Sequence, residues 1–201
     1  MVAADAGWWI ASYLAGSLPT GLVVGRMRGV DLRKAGSGNI GATNAGRVLG
    51  RPFFALVFAL DFLKSFVPTL LALRRDPVPD GVAAPLLALG CGVAAVVGHV
   101  FSVFLRFKGG KGVATGFGIF LALAPWTALA GLATWVGVYL ATKVSSIGSL
   151  AGTLVSVLSA FYVLGSTPIT WAGAVIGALI WWRHRENIGR LVRGEEAGFK
   201  R

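Results

Sequence analysis

Four short stretches gather most of the residues able to do chemistry. The first reads Ala35-Gly36-Ser37-Gly38-Asn39-Ile40-Gly41-Ala42-Thr43-Asn44-Ala45-Gly46-Arg47. The second runs from Gly98-His99-Val100-Phe101 into Phe107-Lys108-Gly109-Gly110-Lys111-Gly112. The third is Lys143-Val144-Ser145-Ser146-Ile147-Gly148-Ser149, and the fourth begins Arg183-His184-Arg185-Glu186-Asn187-Ile188-Gly189-Arg190-Leu191. Such a set suits the binding of oxyanions. Glycines let backbone N–H groups approach an oxyanion closely and permit positive φ, which shapes an anion-holding nest. Where such a loop opens a helix, unpaired N–H groups and the positive dipole end add to the attraction. Arg47 and Lys111 would supply formal charge, while Ser, Thr and Asn side chains orient the oxygens. Two glycine-plus-base loops suit two phosphate groups, or one phosphate gripped from both sides.

Other chemistries fit less well. Gly36-x-Gly38-x-x-Gly41 spells the dinucleotide fingerprint, but no strand–helix–strand pattern surrounds it. Lys108-Gly-Gly-Lys-Gly lacks the spacing and the following Ser/Thr of a Walker A loop. The two histidines, His99 and His184, have no carboxylate neighbours in helical register, so no metal site is expected. A lone cysteine, Cys91, leaves no intrachain disulfide and no cysteine metal cluster, and reads as a small buried hydrophobe. Each stretch also has a plain reading. Gly/Ser/Asn loops join helices, basic loops set membrane topology, and a histidine at a helix end caps a carbonyl. Chemistry is favoured because all four stretches combine a base or histidine with small polar residues.

The elements that must position these residues follow from composition. Of 201 residues, 55% are hydrophobic and 13% charged; mean hydropathy is +0.73. A soluble domain carries roughly a quarter charged residues. Half that share cannot cover a water-facing surface, which implies an all-α integral membrane protein of one domain, 1–201. The net charge of +11 would suggest nucleic acid in a soluble chain. In a membrane chain it reflects the positive-inside rule first, and anionic lipid or substrate second, so no nucleic-acid partner is expected. No basic segment precedes Trp8 and Asp5 is acidic, so no cleaved signal peptide is expected. Trp8, Trp9, Trp181 and Trp182 read as interfacial anchors.

A helix needs about 20 apolar residues to cross the hydrocarbon core. Asp5 to Arg26 encloses a first span, and Arg51 to Arg74 a second that carries Asp61 and Lys64. A third runs from Val82 to Leu105. Gly112 to Thr142 is too long for one helix and divides near Ala124-Pro125-Trp126, since proline cannot continue the hydrogen-bond ladder. Val144 to Trp182 breaks in the same way at Gly165-Ser166-Thr167-Pro168. Seven transmembrane helices result. Sixteen of the 19 Lys/Arg then fall on one side, with only Arg74 and Arg75 opposite, beside Asp76 and Asp80, and Lys64 inside a span. That asymmetry places the N-terminus outside and the C-terminus, with all four polar stretches, in the cytoplasm. Asp61 and Lys64, at i and i+3, can pair structurally, yet intramembrane ionisable residues are functional candidates by default.

Three of these motifs, in order and nearly spanning the chain, resemble the bacterial acyl-phosphate-dependent glycerol-3-phosphate acyltransferases, the PlsY family. They are Ser37-Gly-Asn-Ile-Gly-Ala-Thr-Asn, Gly98-His99 followed by Phe-Lys-Gly-Gly-Lys-Gly, and Arg-His184-Arg-Glu-Asn187-Ile-x-Arg-Leu. The likeness runs from Gly16-Ser17-Leu18-Pro19 to Gly194-Glu195. It implies a multi-pass enzyme of the bacterial inner (cytoplasmic) membrane in phospholipid synthesis, with its active site on the cytoplasmic side. Such an enzyme moves an acyl chain from acyl phosphate to the 1-hydroxyl of sn-glycerol 3-phosphate, giving lysophosphatidic acid and inorganic phosphate without metal or cofactor. A phosphate:acyl-ACP transacylase would supply the donor, and a 1-acylglycerol-phosphate acyltransferase would use the product. By the same resemblance, Ser37, Gly38, Asn39, Thr43, Asn44, Arg47, Gly110, Lys111 and Gly112 bind acyl phosphate. Ser149, His184 and Asn187, with Ser146 as the alternative serine, bind glycerol 3-phosphate; Lys111 is placed to touch the phosphate of either substrate, and the acyl chain lies between helices. Ser37, Arg47, His99, Lys111, His184 and Asn187 form the catalytic set. The chain departs from the family pattern at Ile40, at Ser65 after Lys64, and at Lys143-Val144.

Acyl phosphate already carries a good leaving group, so the site must hold two anions together, stabilise departing phosphate and exclude water. His99 and His184 are the side chains with an ordinary pKa near neutrality. No carboxylate-polarised Ser or His pair is visible, which favours the donor's own phosphate as the proton acceptor. A transporter of a phosphorylated metabolite would also gather bases and glycines. Its site would lie near the midplane within repeated halves, and no internal repeat is present.

Overall fold

A computed structural model describes residues 2–75, 85–196 and 198. Among them the regular structure is all helical, without strands. Ten α-helices appear in order: α1 (Val2–Ser17), α2 (Thr20–Met27), α3 (Ala42–Leu49), α4 (Arg51–Arg75), α5 (Leu86–Val100), α6 (Val113–Leu123), α7 (Pro125–Thr142), α8 (Ser145–Leu164), α9 (Pro168–Arg183) and α10 (Arg185–Val192). Short 3₁₀ turns at Leu32–Lys34 and Val103–Leu105 precede the two glycine-rich loops. Three stretches among the described residues are long and apolar enough to cross a membrane: Arg51–Arg75, Leu86–Leu105 and Ser145–Leu164.

Proline sets the breaks. α6 ends at Leu123 and α7 begins on Pro125; α8 ends at Leu164 and α9 begins on Pro168. A first-turn proline has no N–H to leave unsatisfied, and the Thr167 hydroxyl caps α9 by accepting from the Thr170 N–H at 3.3 Å. The run from Asp5 to Arg26, expected as one span, is divided between α1 and α2 at Leu18-Pro19. Pro19 has no N–H to extend α1, and α2 starts after it. Val82, the expected start of the third span, lies outside the described residues, as do Asp76 and Asp80.

The chain forms two compact units, Met1–Ile119 and Phe120–Arg201. In the first, α5 packs on α1 and α4, and α3 packs on α4. Close approach needs glycine: a Cβ added at Gly16 would meet the Ala95 carbonyl, and one at Gly98 the Tyr13 carbonyl. Leu32, Ala45 and Val57, all at zero exposure, form a small apolar core with Val24 beneath the first glycine-rich loop. In the second unit, α8 packs on α7 and α9, and α10 follows α9 directly. Trp182 lies beneath the guanidinium groups of Arg183 and Arg185, 5.7 and 4.8 Å from the ring centre, a cation–π arrangement. Cys91 is buried.

Candidate active site

The first glycine-rich loop is organised around one side chain. Asn44, 2% exposed, turns its amide into the loop from the first turns of α3. Its Oδ1 accepts from the Ser37 N–H at 2.8 Å, and its Nδ2 donates to the carbonyls of Leu32, Ala35 and Asn39 at 3.1, 2.9 and 2.8 Å. Gly36 and Gly38 take positive φ, +59° and +71°, which a side chain would resist. The Asn39 Oδ1 accepts from the Gly41 N–H at 2.8 Å, a turn just before α3. Ser37 and Gly38 are left exposed at the tip, Asn39 half-buried. Thr43 and Arg47, at i and i+4, share a face of α3. All four of these Asn44 hydrogen bonds go to loop backbone.

The second loop is held by the end of α5. The N–H groups of Gly109 and Gly110 donate to the carbonyls of Val100 and His99, each at 3.0 Å. The His99 ring lies against Gly110, where an added Cβ would meet its Nε2. His99 itself is 5% exposed, with Nδ1 3.6 Å from Asp61 Oδ1. The turn between is fixed by the Ser102 hydroxyl donating to the Ser17 carbonyl at 2.6 Å and the Tyr13 hydroxyl donating to the Phe101 carbonyl at 2.8 Å. Arg106 and Phe107 both adopt left-handed φ, 51° and 62°, a strained pairing for non-glycine residues supported by the Phe107 N–H donating to the Ser102 carbonyl at 2.7 Å. Lys111 and Gly112 come next, Lys111 half-buried and immediately before α6. A cationic side chain at the positive end of a helix dipole suits an anion.

The second unit carries the remaining polar residues. Ser145, Ser146 and Ser149 are buried in the first turns of α8. The Ser149 hydroxyl donates back to the Ser145 carbonyl at 2.9 Å, and that of Ser146 to Glu196 Oε1 at 2.8 Å. The same Oε1 accepts from Asn187 Nδ2 at 2.5 Å, while Oε2 accepts from Arg190 Nε at 2.6 Å. Burial pushes the Glu196 carboxyl up, but hydrogen bonds from Asn187, Ser146 and Arg190 outweigh it and hold the group below the usual glutamate range. His184, 3% exposed, joins α9 to α10. Its Nδ1 is 2.8 Å from the Ile180 carbonyl. A carbonyl only accepts, so Nδ1 carries the proton and Nε2 is the acceptor of the neutral ring.

Ser146, Asn187 and Glu196 are therefore one hydrogen-bonded cluster, with His184 one helical turn before Asn187. A family model described as glycerol-3-phosphate acyltransferase matches residues 6–194. The chain belongs to the glycerol-3-phosphate acyltransferase family. A relative of that name from Anaeromyxobacter sp. strain Fw109-5 is 54% identical over 188 residues, 92% of each chain. Another, from Aquifex aeolicus, is 44% identical over 190 residues, 94% of this chain and 96% of its own. Two solved structures of PlsY (YgiH), an integral membrane glycerol 3-phosphate acyltransferase, also match. Its glycerol 3-phosphate form has a TM-score of 0.88 at 42% identity, and its lysophosphatidic acid form 0.85 at 41%; each match covers 98% of this chain and 96% of that one.

In this acyltransferase the polar residues singled out by sequence divide between the units. Ser37, Gly38, Asn39, Thr43, Asn44, Arg47, His99, Gly110, Lys111 and Gly112 lie in the first, and Ser146, Ser149, His184 and Asn187 in the second. Sequence reasoning missed Glu196, whose one signal was an acidic residue within a basic tail. It also missed Thr20, which donates to Asp61 Oδ1 at 2.6 Å.

Proposed function

We propose that the chain transfers a fatty acyl group from acyl phosphate to the 1-hydroxyl of sn-glycerol 3-phosphate, releasing lysophosphatidic acid and inorganic phosphate. The observation carrying this reading is the first loop, whose backbone is held open by Asn44 with Ser37 and Gly38 exposed at its tip and Arg47 on the adjoining helix. Ser37, Gly38, Asn39, Thr43 and Arg47 hold the donor phosphate in this reading, and Asn44 gives the loop its shape. Gly110, Lys111 and Gly112 present charge and backbone at the start of α6. Arg47 and Lys111 offset the phosphate charge that develops as the acyl–oxygen bond breaks.

The acceptor is assigned to Ser146, His184 and Asn187, with Ser149 bracing α8 through its bond to Ser145. His184 Nε2 accepts from the glycerol 2-hydroxyl and so orients the acceptor. The proton of the attacking 1-hydroxyl passes to the departing phosphate, so no protein base is required. His99, buried between Asp61 and Gly110, acts on the second loop rather than on substrate. The whole chain works as one transmembrane domain of seven spans in the bacterial inner membrane, N-terminus outside, with its active site on the cytoplasmic face. A phosphate:acyl-ACP transacylase feeds it, and a 1-acylglycerol-phosphate acyltransferase draws on its product.

Donor choice and proton transfer are tested together in purified, detergent-solubilised protein. Acyl phosphate supports turnover, whereas acyl-CoA and acyl carrier protein conjugates do not. His184→Ala raises KM for glycerol 3-phosphate and leaves kcat nearly unchanged. Turnover with acyl-CoA overturns the donor assignment, and a loss confined to kcat in His184→Ala makes the histidine the base.

A further inference from the structure

A buried charged cluster among the described residues of the first unit lies outside the residues assigned to substrate. Asp61 Oδ1 accepts from Thr20 Oγ1 and Lys64 Nζ, each at 2.6 Å, and stands 3.6 Å from His99 Nδ1. Asp61, Lys64 and His99 are 3%, 7% and 5% exposed. A salt bridge along one helix would need Asp61 and Lys64 alone. Replacing a buried ion pair by apolar side chains is commonly neutral or stabilising, so stability gives little reason for the pair to be there. The other two partners lead elsewhere.

Thr20 opens α2, and the next residue touches the first glycine-rich loop: a Cβ added at Gly21 would meet the Ile40 carbonyl. His99 leads to the second loop, with its ring against Gly110 and its carbonyl accepting from the Gly110 N–H at 3.0 Å. One carboxylate oxygen is thus linked to the first loop through Thr20 and its neighbour Gly21, and to the second through His99 alone. We infer that Asp61 is a positioning residue that holds both glycine-rich loops in place, 36–47 through Thr20 and 109–112 through His99. Lys64 balances the charge that this requires in an apolar setting. The effect on catalysis rests on the proposed phosphate-binding role of the loops; the effect on loop order does not.

Amide hydrogen exchange on the full chain in detergent micelles separates the two. Asp61→Asn combined with Lys64→Gln removes both charges and leaves no unpaired ion. Thr20→Val, a milder change, cuts one branch only. In the double variant, amides of Ser37, Gly41, Gly109 and Gly110 exchange about tenfold faster or more while α7 and α8 keep their rates. In Thr20→Val only the first loop loosens. Unchanged loop rates in the double variant overturn the proposal, as does a uniform rise that includes α7 and α8. If the loops loosen while KM for acyl phosphate keeps its wild-type value, the positioning role stands and the phosphate-binding reading of the loops falls.

Discussion

Replacing Asn44 by alanine removes the four hydrogen bonds on which the first loop is built. The Ser37 N–H and the carbonyls of Leu32, Ala35 and Asn39 all lose their partner. Two amide hydrogens serve three carbonyls, so the bonds are not all of full strength. A neutral hydrogen bond contributes about 1 kcal/mol net, and a buried group left unsatisfied costs about 1–3 kcal/mol. Since the loop tip can rehydrate in part, the expected loss is about 2–4 kcal/mol of local stability. The apolar cluster of Leu32, Ala45 and Val57 remains, so the fold persists while the loop relaxes. A displacement of about 1 Å in a substrate-positioning group can cost on the order of 10²-fold in rate. Phosphate release at saturating glycerol 3-phosphate, with acyl phosphate varied, reads this as a raised KM for the donor. Thermal unfolding in the same detergent reads the stability. Asn44→Asp keeps the acceptor for Ser37 but sets a carboxylate against three carbonyls, so it performs worse than alanine. Wild-type KM and unfolding temperature in Asn44→Ala, or an effect confined to KM for glycerol 3-phosphate, would refute the reasoning.

Three other outcomes follow from particular contacts. Gly110→Ala places a methyl against the His99 ring; overpacking of this kind costs about 1–3 kcal/mol, so thermal unfolding without substrate shows a lower midpoint, and the KM for acyl phosphate rises. Gly98→Ala drives a Cβ into the Tyr13 carbonyl and separates α1 from α5, which lowers the unfolding temperature more than Gly137→Ala, where nothing lies within 4 Å of the added Cβ. The folded-state pKa of Glu196 is depressed, so its stabilisation is complete above the ordinary glutamate value of about 4.3 and is lost as pH falls below it. Unfolding temperatures measured across that acid range show a steeper decline for the wild type than for Glu196→Gln.

What could be read in advance was whatever depends on neighbours in sequence. The helix breaks at Pro125 and Pro168 follow from a missing donor, and the loop around Ser37–Gly41 from glycine and asparagine chemistry. The division at Pro19 follows the same rule, but it lay within an uncharged run long enough to pass as one span. Roles that depend on remote partners were not legible. Glu196 meets Ser146 fifty positions away, and nothing near it in the chain marks it as the acceptor for that serine. That the Asn44 amide serves the carbonyls of Leu32 and Ala35 emerges only once the loop closes on it. Asp61 was visible as a costly charge beside Lys64, yet its bond to Thr20 joins helices 41 positions apart.

The central claim is a coupled reaction of two phosphorylated substrates. Its most direct measurement is the release of inorganic phosphate by purified protein given acyl phosphate, with and without glycerol 3-phosphate, and with lysophosphatidic acid quantified in the same samples. The account predicts phosphate and lysophosphatidic acid in equal amounts, and both only when glycerol 3-phosphate is present. Phosphate released at the same rate without glycerol 3-phosphate, or no turnover together with counter-flow of a phosphorylated solute in proteoliposomes, would contradict it.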